Sequence, residues 1–492
     1  MHDTTRAYLR EKLTESEDLA ATRHSHAAFY RQFLEGVRSR LLVFPAEAGQ
    51  STYREHLADV LAALEYCFSG HGDADIATAL AAAAAPLLFR LSLLNECRHW
   101  TERAMAKLDD RQRGTGWEME LQTAFGLSLM LLGHTDTSEA TFARGLAIAE
   151  AIGDGYYQVW LLVALHLARM IAGDVHGAMS YARACQAVAI ALDDPSSIAV
   201  ADWILGASCH IAGDQSGAER HCRTALAPLP ESTHTIILRF GFDVRFPALC
   251  ALARCLWLRG QPDQAVRLAH DIVADAETTE HPVTVCFALA WTVYIFFWSG
   301  NLAGAERLIE RLQRHAEQHA LAPYGAVALG LRGELWVRRG DVGAGLRQLQ
   351  AWSDTSHADR FRVHDTAFAS RNGAAFCLPE LLRVKGDVIA AMPDGDLRTA
   401  EDCYLQALET AGQQSAPAWE LRTAISLTRL LIRQDRAPDA LRMLLPLYQR
   451  FSEGLESFDL QAAKALLDRL ASPHSPGDTA GSQPLPRQTS WS

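Results

Sequence analysis

The sequence predicts an all-α protein, an α-solenoid of antiparallel helix hairpins with a period of about 40 residues. Three observations predict it. First, glycine returns to one turn position: Gly133, Gly173 and Gly213 stand 40 apart, Gly260 follows after 47, Gly300 and Gly340 after 40 each, and Gly395 after 55, with Asp435 in the equivalent place 40 further on. Second, a small residue stands five positions after each turn from Gly173 onward: Ala178, Ala218, Ala265, Ala305, Gly345, Ala400 and Ala440. Third, Gly126, Gly206 and Gly333 each precede a turn by seven residues. A mid-helix glycine costs about 1 kcal/mol relative to alanine, so its reuse at one register marks a tight helix crossing.

The clearest copies of the turn are "IAGDVHGA" at 171–178 and "IAGDQSGA" at 211–218. Glycine ends the first helix in the left-handed conformation, and the aspartate after it caps the second. Downstream, steps of four and three, as in Ala218, Cys222 and Ala225 or Ala400, Tyr404 and Ala407, fall on one helical face. Small residues there let the second helix approach the first closely. "GDVGAG" at 340–345 only partly matches a dinucleotide-binding loop, and it follows a helix instead of a strand; it is the repeat turn again.

In chain order, "DTTRAYLREKL" and "LAATRHSHAAFYRQFLEGVRSRL" read as two helices within residues 1–50, and "FPAEAGQST" separates them from "YREHLADVLAALEYCFSG". Repeats are expected over 51–352, beginning with "DIATALAAAAAPLLFRLSLLNECRHWTERAMAKL", where Pro86 starts or kinks a helix. Residues 353–376 are polar, break the period and read as an irregular connection. Two further repeats and a capping helix, "DLQAAKALLDRL", occupy 377–470, and the Pro/Ser/Gly-rich 471–492 are expected to be disordered.

Composition narrows the function. The chain has 492 residues, and its net charge of −12 with no basic stripe argues against direct nucleic-acid binding. Ten cysteines without a CxxC pair suit buried thiols in a reducing cytoplasm. The N-terminus lacks the apolar core of a signal peptide. "VTVCFALAWTVYIFFW" at 283–298 is short for a membrane span and reads as a helix buried on most sides.

The hairpin unit resembles the tetratricopeptide repeat (TPR), lengthened from its usual 34 residues. More specifically, "DTTRAYLREKL" with "RHSHAAFYRQF", then "LLNECRHWTERAM", "RFGFDVRFPALCALARCLWLRGQPDQA", "PELLRVKGDV" and "AWELRTAISLTRLL" resemble the repeat region of bacterial signal-transduction ATPase (STAND-type) winged-helix regulators. Similar repeats also follow adenylate-cyclase-type domains. The resemblance spans about residues 3 to 470 and implies a role in transcriptional regulation or signalling. The DNA-binding and ATPase modules of that family are absent from this sequence, and no GxxxxGK[ST] phosphate loop occurs.

Chemistry is sparse. His315 and His319 share a helical face, but Glu317 is rotated about 200° away, against the zincin pattern. Cys209, His210, His221 and Cys222 flank one turn; adjacent residues point about 100° apart, so buried thiols with surface histidines are expected instead of a metal site. The constellation singled out for binding is "ILRFGFDVRF" in the lengthened 47-residue unit. Arg239 and Asp243 can pair at i, i+4, while Phe242 and Arg245 add aromatic and cationic surface. The plain reading is a salt bridge with core phenylalanines; the functional one is a groove contact for a small anionic effector or an acidic peptide. The expectation is a non-enzymatic, cofactor-free module binding protein partners, among them a separate ATPase or DNA-binding regulator. Alternatives are a generic scaffold, a chaperone-type peptide binder, or a truncated remnant of a regulator or cyclase.

Overall fold

The structure is a computed structural model of the chain that describes residues 19–41, 51–69, 72–227, 245–279, 281–353 and 375–471. The expected helix "DTTRAYLREKL", residues 354–374 of the connection expected over 353–376, and residues 472–492 of the tail expected over 471–492 lie outside the described residues.

Every regular element among the described residues is a helix, 21 in all. In chain order they are α1 (Leu19–Leu41), α2 (Ser51–Cys67), α3 (Ala74–Arg90), α4 (Leu94–Ala106), α5 (Gly116–Leu132), α6 (Thr135–Ile152), α7 (Gly155–Ile171), α8 (Val175–Leu192), α9 (Pro195–Ala212), α10 (Gln215–Ala225) and α11 (Arg245–Leu258). There follow α12 (Pro262–Thr278), α13 (Pro282–Trp298), α14 (Leu302–Gln318), α15 (Ala322–Arg338), α16 (Val342–Ser353), α17 (Leu378–Ala391), α18 (Leu397–Gln413), α19 (Pro417–Arg433), α20 (Ala437–Tyr448) and α21 (Phe458–Ala471). Sequential helices pair as hairpins, as in α5 with α6, α11 with α12 and α17 with α18.

Local chemistry explains the boundaries. Gly133, Gly173, Gly213, Gly260, Gly300 and Gly340 follow helix ends with φ between 76° and 107°, a region open to glycine at no steric cost. Asp435 adopts φ 58° in the same role. In the two copied turns the aspartates cap identically: the Gly177 N–H donates to Asp174 Oδ1 and the Gly217 N–H to Asp214 Oδ1, both at 2.8 Å. Gly395 differs, lying outside the left-handed region. Its turn needs glycine for space, because a Cβ there would stand 1.9 Å from the Ile389 carbonyl oxygen. Proline opens α12, α13, α17 and α19, where its missing N–H has no helical partner to lose.

The mid-helix glycines mark close crossings. A Cβ on Gly126 would stand 2.5 Å from the Phe142 ring, one on Gly206 2.6 Å from Cys222 Sγ, and one on Gly333 2.8 Å from Leu349. The partner lies 16 residues on each time, so one hairpin geometry is reused. Ala178, Ala218, Ala265, Ala305, Ala400 and Ala440 have no exposed surface.

The chain divides into two compact units. The first takes the described residues up to Ala168 together with Val188–Ser197; its core includes Leu80, Leu88, Cys97, Leu121 and Phe142. The second takes Arg169–Ala187, 198–227 and the described residues from 245 onward. In the second unit α13 is buried on most sides, from Val283 to Trp298. Among the described residues no helix is long and apolar enough to cross a membrane.

Candidate functional site

In the second unit the chain folds back on its own turns. The Ile211 carbonyl oxygen accepts from two successive amides, Ala375 N–H at 2.9 Å and Phe376 N–H at 3.1 Å. Gln414 Nε2 donates to the Ala375 carbonyl at 2.6 Å, and Trp419 Nε1 donates to that of Phe376 at 3.0 Å. Gln414 also lies against Gly213, where a side chain would stand 2.9 Å from its amide nitrogen. Phe451 covers Gly260 in the same way. Glu453 accepts from the backbone and side chain of Gln264, and Asp263 Oδ2 accepts from the Gly454 N–H at 2.9 Å. The C-terminal hairpins therefore close over the turn edge of α9–α10 and α11–α12. Two of the turn glycines leave room for that closure as well as for the turn.

Behind the closure lies a charged and aromatic core. Trp257, Trp298 and Trp419 meet with centroids 5.1, 5.4 and 5.7 Å apart. Arg422 stacks on Trp257 and Trp419, donates from Nη2 to the Trp298 carbonyl at 3.0 Å, and binds Asp459 Oδ2 through Nε at 3.0 Å and Nη2 at 2.6 Å. Arg383 grips Glu380 through Nε and Nη2, pairs with Asp387, and Tyr404 donates to Asp387 at 2.7 Å. Burial would raise the Glu380 carboxyl, but Arg383 and Arg422 outweigh it and hold it below the usual carboxylate range. A crevice of about 20 Å³ among Trp257, Trp298, Phe451 and Asp459 has room for a water and no ligand.

Arg254, on α11, is different. It is 4% exposed and boxed by four rings: Trp291 at 4.9 Å, Tyr294 and Phe376 at 5.2 Å, and Trp298 at 5.3 Å. Its Nε and Nη2 are buried and hydrogen-bond to nothing. Burial, opposed only by weak fields from Tyr294 and nearby thiols, lowers its pKa below the ordinary arginine value. Trp291, Tyr294 and Trp298 sit at i, i+3 and i+7, one face of α13, and Phe287 stacks on Trp291 at 5.2 Å to lengthen that ladder. Phe287, Trp291 and Tyr294 are half-buried.

His210 lies at the same place, its ring 5.1 Å from Phe376. Gln215 Nε2 donates to the His210 carbonyl at 3.1 Å, which turns Gln215 Oε1 toward His210 Nδ1 at 2.8 Å. Nδ1 therefore carries the proton, and the buried Nε2 has no partner. Burial first, then the Arg254 charge, pushes the imidazole pKa down to about 3.

The residues singled out from sequence fall as follows. Arg239, Phe242 and Asp243 lie outside the described residues. Arg245 is exposed in the first turn of α11. Of the Cys-His set, Cys209 and Cys222 are buried, with thiols pushed up by burial to about 11 and about 12. The expectation of surface histidines is corrected: His210 is fully buried, because the closure by Phe376 covers it, and His221 is turned inward to Asp202 Oδ1 at 2.6 Å. The His315 and His319 rings lie 4.5 Å apart, tilted at 51° to each other, and no group of three or more potential metal ligands occurs among the described residues. Sequence reading missed Arg254. Its signal was a lone charge in the apolar run "CALARCLWL", a place where charge is costly.

No family model matches the chain, and no curated protein matches it in sequence. Among solved structures it is similar to a Rap protein complexed with competence and sporulation factor, at 12% identity over 91% of this chain and 97% of that one, TM-score 0.39. It is also similar to the human IFIT1 dimer with m7Gppp-AAAA, at 12% identity over 89% and 94%, TM-score 0.39. Yeast Tom70 matches at 11% identity over 90% and 96%, TM-score 0.24. The assignment of a TPR-like α-solenoid rests on the chain's own repeated hairpins.

Proposed function

We propose that this chain is a non-enzymatic TPR-like module that senses an effector or partner within bacterial transcriptional regulation or signalling. The observation that carries the reading is the closure in the second unit: a few directional hydrogen bonds, from Ala375, Phe376, Gln414 and Trp419, hold the C-terminal hairpins over a charged aromatic face. Hairpins in such an array touch mainly their neighbours, so opening this contact shifts their relative rotation, and a partner that binds only one state reads the shift. The resemblance to signal-transduction ATPase regulators supplies the class of partner, a separate protein carrying the ATPase or DNA-binding function. Arg245, with Arg239, Phe242 and Asp243, belongs to this proposal as a second contact surface for an acidic segment.

Gln414→Met removes the amide that holds the Ala375 carbonyl and keeps a side chain of similar length and volume, so it weakens the closure with little change in packing. Pull-down with candidate regulators should then retain a different amount of partner than the wild-type chain does. Failure of both proteins to bind any regulator, with helicity intact, sinks the reading. A chaperone-type reading has less support, because clustered lysines on inner helices would favour it and lysines are few in this chain. Nucleotide turnover by the pure protein should be blank.

A further inference from the structure

Three arginines of this protein, exposed Arg144, half-buried Arg422 and buried Arg383, present the same edge of the guanidinium to a carboxylate. Arg144 holds Glu118 through Nε and Nη2, both at 2.9 Å. Arg383 holds Glu380 and Arg422 holds Asp459 through the same two nitrogens. These N–H groups point the same way, which suits them to the two oxygens of a carboxylate. Arg254 has that edge buried and empty: the two atoms without a partner are Nε and Nη2. Among the described residues no carboxylate pairs with it.

We propose that the Arg254 edge and the aromatic ladder of α13 form a binding site for an aromatic carboxylate. The carboxylate takes the Nε and Nη2 donors, and the ring stacks in the box of Trp291, Tyr294 and Trp298. Phe376 holds that place in the closed form, its own ring supplying the aromatic face while its backbone is tied to Ile211 and Trp419. A neutral aromatic ligand gains the stacking but leaves the donors unused. A small inorganic anion gains the donors but leaves the box to Phe376. Both features together select the ligand class, and its entry displaces the Phe376 segment. Aromatic carboxylate occurs as a free acid and at the C-terminus of a peptide ending in an aromatic residue.

The inference rests on the sensing reading above and names its ligand, but its test needs no partner protein. A failed pull-down with successful titration removes the regulator and leaves the site, and the reverse result removes only the site. Calorimetric titration of the full chain compares phenylacetate, its uncharged counterpart phenylacetamide, and N-acetylphenylalanine, which presents ring and carboxylate as a peptide terminus does. Phenylacetate or N-acetylphenylalanine should bind roughly tenfold or more tightly than phenylacetamide, the margin of a charge-assisted pair, and the tighter of the two identifies the source. Arg254→Met should lose that margin. Arg254→Lys keeps the charge without the fork and serves the same purpose if Arg254→Met does not fold. Phe376→Ala should tighten the acids, because the occupant is gone. Equal binding of acid and amide, undiminished binding by both Arg254 variants, or no binding of any acid to wild type and Phe376→Ala at millimolar concentration overturns the proposal.

Discussion

Arg422, half-buried, and Arg254, fully buried, lie in the same unit and both pack against tryptophan, yet their surroundings have opposite consequences. Arg422 closes a circuit: Asp459 and Glu380 compensate its charge, Trp257 and Trp419 cover its faces, and a carbonyl takes a remaining proton. Burial alone would lower its pKa, but the two carboxylates outweigh that and raise it. Arg254 is faced by four rings and, among the described residues, by no carboxylate, and its pKa falls. A paired buried charge anchors one conformation; an unpaired one leaves stabilisation to be gained by whatever supplies the counter-charge. The C-terminal hairpins are thus fixed at Arg422 and replaceable at Phe376.

The largest test of that contrast removes a counter-charge. Asp459→Ala takes away the carboxylate that Arg422 grips through Nε and Nη2, leaving only the more distant Glu380, and should destabilise the chain by about 3 kcal/mol in urea unfolding. An effect under about 1 kcal/mol would show that the circuit does not anchor the C-terminal hairpins. Next comes acid. His210 has its folded pKa lowered to about 3 from an ordinary 6.5, so below pH 6.5 the unfolded chain takes up a proton that the folded chain refuses. Its contribution is fully present above about pH 6.5 and declines toward pH 3, by up to about 1.4 kcal/mol per pH unit. His210→Gln should flatten the stability profile between pH 6.5 and 4.5, before the carboxylates titrate; an unchanged slope would show that His210 is not held neutral. Glu380 acts lower: its depressed folded pKa means stability present above about 4.5 and lost as pH falls through the folded value. The smallest effect is Arg254→Met, which removes an uncompensated charge at the expense of its ring contacts. It should leave stability between unchanged and about 2 kcal/mol higher. A large loss would show that the rings alone satisfy the guanidinium.

The hairpin fold was legible because its determinants are local. Gly173 and Gly213 announce a left-handed turn, Asp174 and Asp214 a cap, and Ala178 and Ala218 a close crossing, all within eight residues. Gly395 shows the limit, since its need for glycine comes from steric crowding by the Ile389 carbonyl and not from φ. The candidate site was not legible. Its parts come from Ile211, Arg254, Trp291, Phe376 and Trp419, separated by up to about two hundred residues and joined only when the chain folds back. What sequence could offer was the anomaly itself, an arginine in an apolar run with no acid three or four positions away on the helix. Gln414 gave no such signal; it matters only because Gly213 and Ala375 come to lie beside it.

The central claim is that the Phe376 segment occupies a site that a carboxylate ligand can take. Hydrogen exchange at the amides of Ala375 and Phe376, both bonded to the Ile211 carbonyl, measures it directly. Saturating phenylacetate should speed exchange of these two amides while the amides of α19 stay protected. Exchange that slows or does not change at Ala375 and Phe376 while phenylacetate is bound would contradict the account, because the acid would then bind without displacing the segment.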